Sequence, residues 1–485
     1  MTTPNPVSAA VVDITPRRAA LALTVLVTGT FMSLLDTTIV NVALPTIRES
    51  LSASESTLSW IISGYALAFG LALIPAGRLG DRYGHKWVFI SGLAVFTIGS
   101  LLCGLAADSL QLVIARAIQG LGGGIFFPAV TAFIQLMYPP AKRGGAFAIM
   151  GAVIGVSAAL GPIVGGLLIE ALGEQSGWRW IFAVNIPVGL AALLAAVWLL
   201  PAGKEGSKSS ADLIGLVLLA GSLIAILVPL IQGQEEGWPL WTWLSLIAGV
   251  VLLVLFALWE RRLAARGTVP LVPPHLFSHP AFTSGTILAL VYFAAFTSIF
   301  FTISILWQSG LGYSALESGL VSVPFAIGSI VGASQSDRLA GKLGRTVLVI
   351  GVGLVALGLI ALWLLLFFVP TAELTSLELL APLLIAGFGS GLFIAPNARF
   401  IVATVDRSEA GAASGVIGTM QRIGSAIGIA VIGSVFFANI GPIAGPTDVA
   451  IAFGQAATVA LAVSAAFAVA AFALVFTLPR RVDGR

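Results

Sequence analysis

The 485-residue chain is 58% hydrophobic and only 9% charged, with a formal net charge of +3. Soluble domains carry about 25% charged residues, so this chain cannot cover a water-facing surface; apolar runs of about 20 residues recur end to end and mark an all-α polytopic membrane protein. The basic pI of 9.2 arises from short loops between apolar runs and gives no reason to expect nucleic acid.

In chain order, a polar tail (1–18) leads directly into an apolar run of spanning length, an uncleaved first helix rather than a signal peptide. Fourteen spans follow, at roughly 19–45, 57–77, 86–106, 109–137, 145–171, 178–200, 211–232, 240–260, 282–307, 316–336, 345–369, 376–402, 410–440 and 449–478. Polar, turn-rich junctions at 201–210 and 260–280 set the organisation. A six-span bundle occupies 19–200, a linker with two inserted spans 201–281, a second six-span bundle 282–478, and a short tail 479–485. With an even span count both termini share one side. Twenty of the 24 Lys and Arg residues then fall on that side, while Arg48 and Arg179 face the other, which predicts cytoplasmic termini in a cell membrane.

The loop expected after span 2 reads GRLGDRYGHKWVF (77–89), and the loop expected after span 10 reads DRLAGKLGRTVLV (337–349). Arg78, Leu79, Arg82 and Gly84 match Arg338, Leu339, Lys342 and Gly344 at one offset, whereas Asp81 is matched by Gly341. Spans 1–6 and 9–14 therefore look like two copies of one unit, the arrangement of a large class of transporters.

Ionisable residues at membrane depth are expensive and mark function or pairing. Asp36, in LDTTIVNVALP (35–45), is the only acid well inside a span. It lies about 9 residues, roughly 14 Å, from the far end of span 1. Arg116, in RAIQGLGGGIFFPA (116–129), lies about 7 residues, roughly 11 Å, from the corresponding end of span 4. The two charges sit at similar depth, facing one cavity as a direct or water-bridged pair, either as a structural ion pair or as a proton-handling site. In GRLGDRYGHK (77–86), Asp81 and Arg82 are placed to latch helix ends across the halves, because a topology signal of positive charge explains Arg78 and Lys86 but not Asp81. GVSAALGPIVGGLL (155–168) sets Gly155, Gly161, Pro162 and Gly165 in span 5, where small residues permit close helix contact and Pro162 removes one backbone hydrogen bond. GLGGG (120–124) follows no strand and is no nucleotide loop.

Together with WRWIFAVNIPVG (178–189), these stretches resemble the fourteen-helix drug–proton antiporters of the major facilitator superfamily, over nearly the whole chain and in motif order. The resemblance implies the major facilitator fold, proton and substrate coupling at Asp36, and tuning of its proton affinity by Arg116. It assigns conformational switching to Gly77, Asp81, Arg82, Gly84 and the Gly155–Gly165 stretch, the latter being the family's antiporter motif.

In the second half Arg422 lies about 12 residues into span 13, near mid-membrane. Some relatives that take cationic drugs carry acids in this region, where this chain has Gln421 and Arg422. Trp60, Tyr65, Tyr292, Phe296, Phe300, Trp307 and Gln308 complete the candidate cavity residues, since aromatic faces suit flat or cationic compounds. Cys103, the lone cysteine, excludes an internal disulfide or a multi-cysteine metal site and is expected to be a small buried residue. His85, His275 and His279 are expected in loops; no metal or catalytic set appears, so an enzyme is not expected. The function anticipated is a monomeric proton-coupled multidrug exporter of amphipathic, cationic or zwitterionic compounds, powered by the proton gradient without a cofactor. An exporter of anionic, neutral or lipid-linked cargo, or a nutrient uniporter or symporter, is the alternative on the same fold.

Overall fold

A computed structural model describes residues 15–53, 55–173, 176–202, 212–233, 236–268, 270–403, 405–406, 409–441 and 446–479. The N-terminal tail before residue 15 and Lys204, Lys208, Arg407, Arg480, Arg481 and Arg485 lie outside the described residues, as does the side chain of Pro162. Helices account for almost everything else, because a backbone in lipid must satisfy its own hydrogen bonds. They are α1 (Pro16–Leu51), α2 (Glu55–Tyr83), α3 (His85–Leu105), α4 (Ser109–Met137), α5 (Pro140–Leu172), α6 (Gly177–Ala183), α7 (Asn185–Leu199) and α8 (Leu213–Gln232). There follow α9 (Leu240–Ala265), α10 (Pro280–Ile305), α11 (Ala315–Val321), α12 (Val323–Leu343), α13 (Thr346–Phe368), α14 (Ser376–Val402), α15 (Ala410–Ala438) and α16 (Pro446–Leu474).

Thirteen helical stretches among the described residues are long and apolar enough to cross a membrane. The 33-residue α5 stands at the place of the fifth expected span. Two expected spans are each built from two pieces, α6 with α7 and α11 with α12. Starts are set by side-chain caps: Asp108 accepts from Gln111 N at 2.8 Å, and capping boxes open α11 at Ser314 and α14 at Thr375.

The GRLGDRY segment is not a loop. α2 runs on through Tyr83 and stops only at Gly84, whose φ of 92° needs a residue without a Cβ. The matching segment of the second half behaves alike, with α12 continuing to Leu343 and Gly344 at φ 55°. Charged residues at these helix ends leave the apolar span before the helix itself ends, so hydropathy alone underestimates its length.

Helices α1–α7 and α10–α16 form two halves that meet along two seams, α2 against α15 and α5 against α11, α12 and α14. The inserted α8 lies against both α2 and α15, with α9 packed on α8. At the tip of this pair, Trp238 Nε1 donates to Ser434 Oγ of α15 at 2.9 Å.

Within each half, small residues let backbones touch. A Cβ on Gly122 of α4 would lie 2.7 Å from Phe96 Cα and 2.8 Å from Gly92 O of α3. Gly145, by contrast, faces open space. Gly122→Ala should therefore destabilise the purified protein by about 1–3 kcal/mol through overpacking, whereas Gly145→Ala should not. Unfolding midpoints in detergent decide this; equal midpoints for the two variants would contradict the close α3–α4 contact.

Candidate functional site

Asp36 of α1 and Arg116 of α4 meet directly, Arg116 Nη1 donating to Asp36 Oδ2 at 2.5 Å. The pair is 0% and 1% exposed. It lies inside the first half rather than facing a cavity between halves. Asp36 Oδ1 accepts from Gln119 Nε2 at 2.8 Å and from Asn185 Nδ2 at 3.2 Å. Both amides also donate to Ser100 Oγ, at 3.0 Å each, and Ser100 donates to Phe182 O. Arg116 Nε donates to Ile61 O of α2 at 3.0 Å, and its guanidinium lies 4.2 Å from the centre of the Tyr65 ring. Three donors thus converge on one carboxylate, a set that satisfies its ionised form in a dry interior. An apolar cluster containing Ile39, Val40, Ile47, Ile61, Leu112, Trp178 and Phe182 packs beside it.

Gln119, Ser100 and Asn185 are the members that sequence reasoning missed. The signal for Gln119 was its place three residues after Arg116, on the same helical face. Asn185 sits in the quoted WRWIFAVNIPVG stretch, at the start of α7 after the break at Val184.

The basic end of the molecule is closed. Asp81 Oδ1 accepts from Gly411 N at 2.9 Å and Oδ2 from Ala412 N at 3.0 Å, so a carboxylate from one half caps the first turn of α15 in the other. Gly77 and Gly411 touch so closely that neither has room for a Cβ. Arg82 takes no part in this contact; its guanidinium lies 4.9 Å from the Tyr83 ring. The cations beside Asp81 are Arg78, at 3.8 Å, and His85, at 3.4 Å if protonated. His85 is a buried first residue of α3, not a loop residue. At the other seam Arg399 Nη1 donates to Asp337 Oδ1 at 2.8 Å, where Gly144 of α5 abuts the carboxylate. The second half therefore keeps an acid at its seam, one turn before the position matching Asp81.

α5 is wedged between the halves. Gly161 and Gly165 press on Thr38 and Ile39 of α1, two and three residues beyond Asp36, while Gly155 abuts Ser329 of α12.

The aromatic candidates divide. Tyr65 is buried and donates to Ser33 O at 3.0 Å, tying it to the Asp36 site. Tyr292 donates to Ser390 Oγ at 2.7 Å and, with Phe296 and Phe300, belongs to an aromatic cluster with Phe393 and Phe325 inside the second half. Trp307 is buried in a π-helical turn (Leu306–Gly310) beside Tyr313, and Gln308 donates to Ser304 Oγ at 2.8 Å. These residues fill the second half and do not meet the Asp36 site. Trp60 and Gln421 are half-buried. Arg422 is half-buried too, its guanidinium stacked 4.0 Å from the centre of the Phe69 ring across the α2–α15 seam. Cys103 is buried, its thiol 3.5 Å from Gln119 Oε1, and no cluster of metal-ligating residues occurs among the described residues.

Comparison with known proteins places the chain in a family and a fold. The sequence model described as Major Facilitator Superfamily matches residues 26–429. A probable actinorhodin transporter of Streptomyces coelicolor is 38% identical over 87% of this chain and 73% of its own. A tetracenomycin C resistance and export protein of Streptomyces glaucescens is 33% identical over 86% of this chain and 75% of its own. Among solved structures, the human organic anion transporter MFSD10 superposes with a TM-score of 0.68 over 95% of this chain and all of that one; at 16% identity this likeness concerns the fold alone.

Removing one member of the buried pair should cost about 3–5 kcal/mol, because the other charge is left uncompensated. The double variant Asp36→Asn/Arg116→Gln should then lose less than the sum of its single variants, as read from unfolding of the purified proteins. Strict additivity would show that the two charges do not depend on each other.

Each hydrogen bond to a charged group contributes about 1.5–3 kcal/mol. Asp81→Ala, which loses two across the seam, should therefore shift the equilibrium toward the population open at the basic end by about a hundredfold or more. Maleimide labelling of Leu73→Cys in a Cys103→Ser background reads that population, since Leu73 lies buried against Gly415 and Gly418. An unchanged labelling rate would remove Asp81 from the closure.

Proposed function

The chain belongs to the Major Facilitator Superfamily, and from that membership we propose a proton-coupled efflux antiporter that exports amphipathic small molecules by alternating access. It works as a monomer in the cell membrane with both termini in the cytoplasm, so the closed basic end is the cytoplasmic one, and it draws on the proton gradient without a bound cofactor. The names of its curated relatives, which include antibiotic transport and export, support the direction of transport.

The observation that carries this reading is the buried Asp36 carboxylate held by Arg116, Gln119 and Asn185. A proton arriving on Asp36 cancels its charge and must displace one of three donors. Arg116 then loses its counter-charge, and the α1–α4–α7 arrangement loses the attraction that fixes it. α5 carries the resulting movement of α1 to α12, through Gly161 at Thr38 and Gly155 at Ser329. In the proposed cycle the proton enters from outside while the cytoplasmic end is shut by Asp81. The return to the inward-facing state then releases it as cargo binds. Proton and cargo thereby exclude one another, which is what exchange requires.

The test uses inverted vesicles with an acid interior and a panel of ethidium, rhodamine 6G and 8-anilinonaphthalene-1-sulfonate. At least one dye should accumulate in the lumen with matching proton efflux, and Asp36→Asn, present in the membrane at wild-type amount, should lose both. Gradient-driven accumulation that survives in Asp36→Asn would overturn the mechanism.

A further inference from the structure

Three charged side chains lie well inside the described spans: Asp36, Arg116 and Arg422. The first two neutralise each other. Arg422 makes no ion pair among the described residues; its guanidinium lies 4.0 Å from the centre of the Phe69 ring and interacts electrostatically with the Tyr65 side chain. The acids whose side chains lie outside the described set, Asp13, Glu55, Glu174, Glu205, Glu235 and Asp483, belong by sequence to tails, junctions and the first residue of α2 rather than to span interiors. The interior therefore carries one uncompensated positive charge at mid-membrane.

An unpaired guanidinium at that depth is costly, and a purely packing role is served better by an apolar side chain. The position is not fully buried: Arg422 remains partly exposed beside the α2–α15 seam, where Phe69 covers one face of the guanidinium. Three residues earlier on the same helical face, the buried Thr419 hydroxyl lacks a hydrogen-bond partner among the described residues. A planar fork of donors held flat on an aromatic ring, with a hydroxyl one turn away, makes a receptor for an oxyanion.

We propose that Arg422, with Thr419 and Phe69, forms the recognition site for an acidic group on the cargo, so that the exporter selects aromatic acids over matched neutral compounds. This deepens the antiport reading and rests on it. Arg422 and Thr419 lie in the other half from Asp36, but Arg422 reaches it through continuous aromatic contact: Arg422 on Phe69, Phe69 against Tyr65 at 5.9 Å, and Tyr65 under Arg116 at 4.2 Å. Cargo bound at the seam and the proton site thus share one row of side chains. Exchange of a monoanion for a proton moves positive charge inward on both legs, so an inside-negative potential drives export as well as the pH gradient.

Binding of anthraquinone-2-carboxylate and of anthraquinone-2-carboxamide to the purified full-length protein, measured by titration calorimetry, tests this. Wild type should prefer the carboxylate by about tenfold, the scale of one charge-assisted hydrogen bond. Arg422→Gln should bring the two affinities to within about twofold by weakening only the carboxylate, and Arg422→Lys should retain part of the preference. Binding of the carboxamide by Arg422→Gln at wild-type strength shows that the variant is folded. A tenfold preference that survives in Arg422→Gln, or wild type that binds both probes alike, overturns the proposal. Selective binding without proton exchange in proteoliposomes sinks the antiport reading alone, and proton exchange without selectivity sinks the acid-recognition site alone.

Discussion

A carboxylate in a dry interior needs a counter-charge, and most of the first half is arranged around supplying one. Asp36 draws α4 through Arg116 and Gln119, α7 through Asn185, α3 through Ser100 and α2 through the Ile61 carbonyl that holds Arg116. Five helices are thus referred to a single anionic group. At the low effective dielectric of such a site, charge pairs are strong when made and costly when broken, so one ion pair holds together the packing of a bundle. A surface pair of the same geometry would have no such reach.

The consequence travels because the seams are narrow. α5 meets α1 at Thr38 and Ile39 and meets α12 at Ser329 with no space for larger side chains, so a shift of α1 cannot be absorbed locally. At the basic end, the two seams are closed by related devices. Asp81 caps α15 from the end of α2, and Asp337 reaches the beginning of α5 from the end of α12. The repeat is not literal: the second acid stands one turn earlier and is held by Arg399 instead of backbone amides. Closure by a carboxylate at a helix start is retained where the sequence alignment alone suggests it has been lost.

How much of this was legible follows from what each residue type reveals. Span positions and the duplication are visible because lipid demands long apolar runs and basic residues gather between them. Asp36 and Arg116 are visible because charge at membrane depth is rare, and equal depth alone implied that they meet. That they meet inside one half is not visible, since depth says nothing of the direction in which a helix faces. Neutral partners such as Ser100, Gln119 and Asn185 are ordinary in spans and give no warning. Aromatics are least informative: Tyr292, Phe296 and Phe300 form an internal cluster, whereas Tyr65 joins the charged site, and nothing in their local sequences separates the two fates. The breaks at Val184 and Ser322 are also hidden, because both halves of each broken span remain apolar.

The inserted helices become intelligible from their attachments. α8 covers the flank of the α2–α15 seam, and the linker following α9 crosses the basic end of that seam. Arg78 of α2 donates to the carbonyls of Pro270 and Leu271, and Glu260 Oε2 accepts from Val272 N at 2.8 Å. Three residues on, His275 meets Glu409, the residue that precedes α15, at 2.9 Å. One short segment therefore touches both halves where they must part. The Arg78 contacts are half-sheltered and charge-assisted, whereas the His275–Glu409 contact has an exposed histidine and is screened by solvent. In the proposed cycle the weaker contact yields first when the basic end opens, so the linker stays with α2 and α15 moves away from it. The insertion then acts as a fixed wall on the first half, keeping lipid from the flank of a seam in which Phe69 and Arg422 lie.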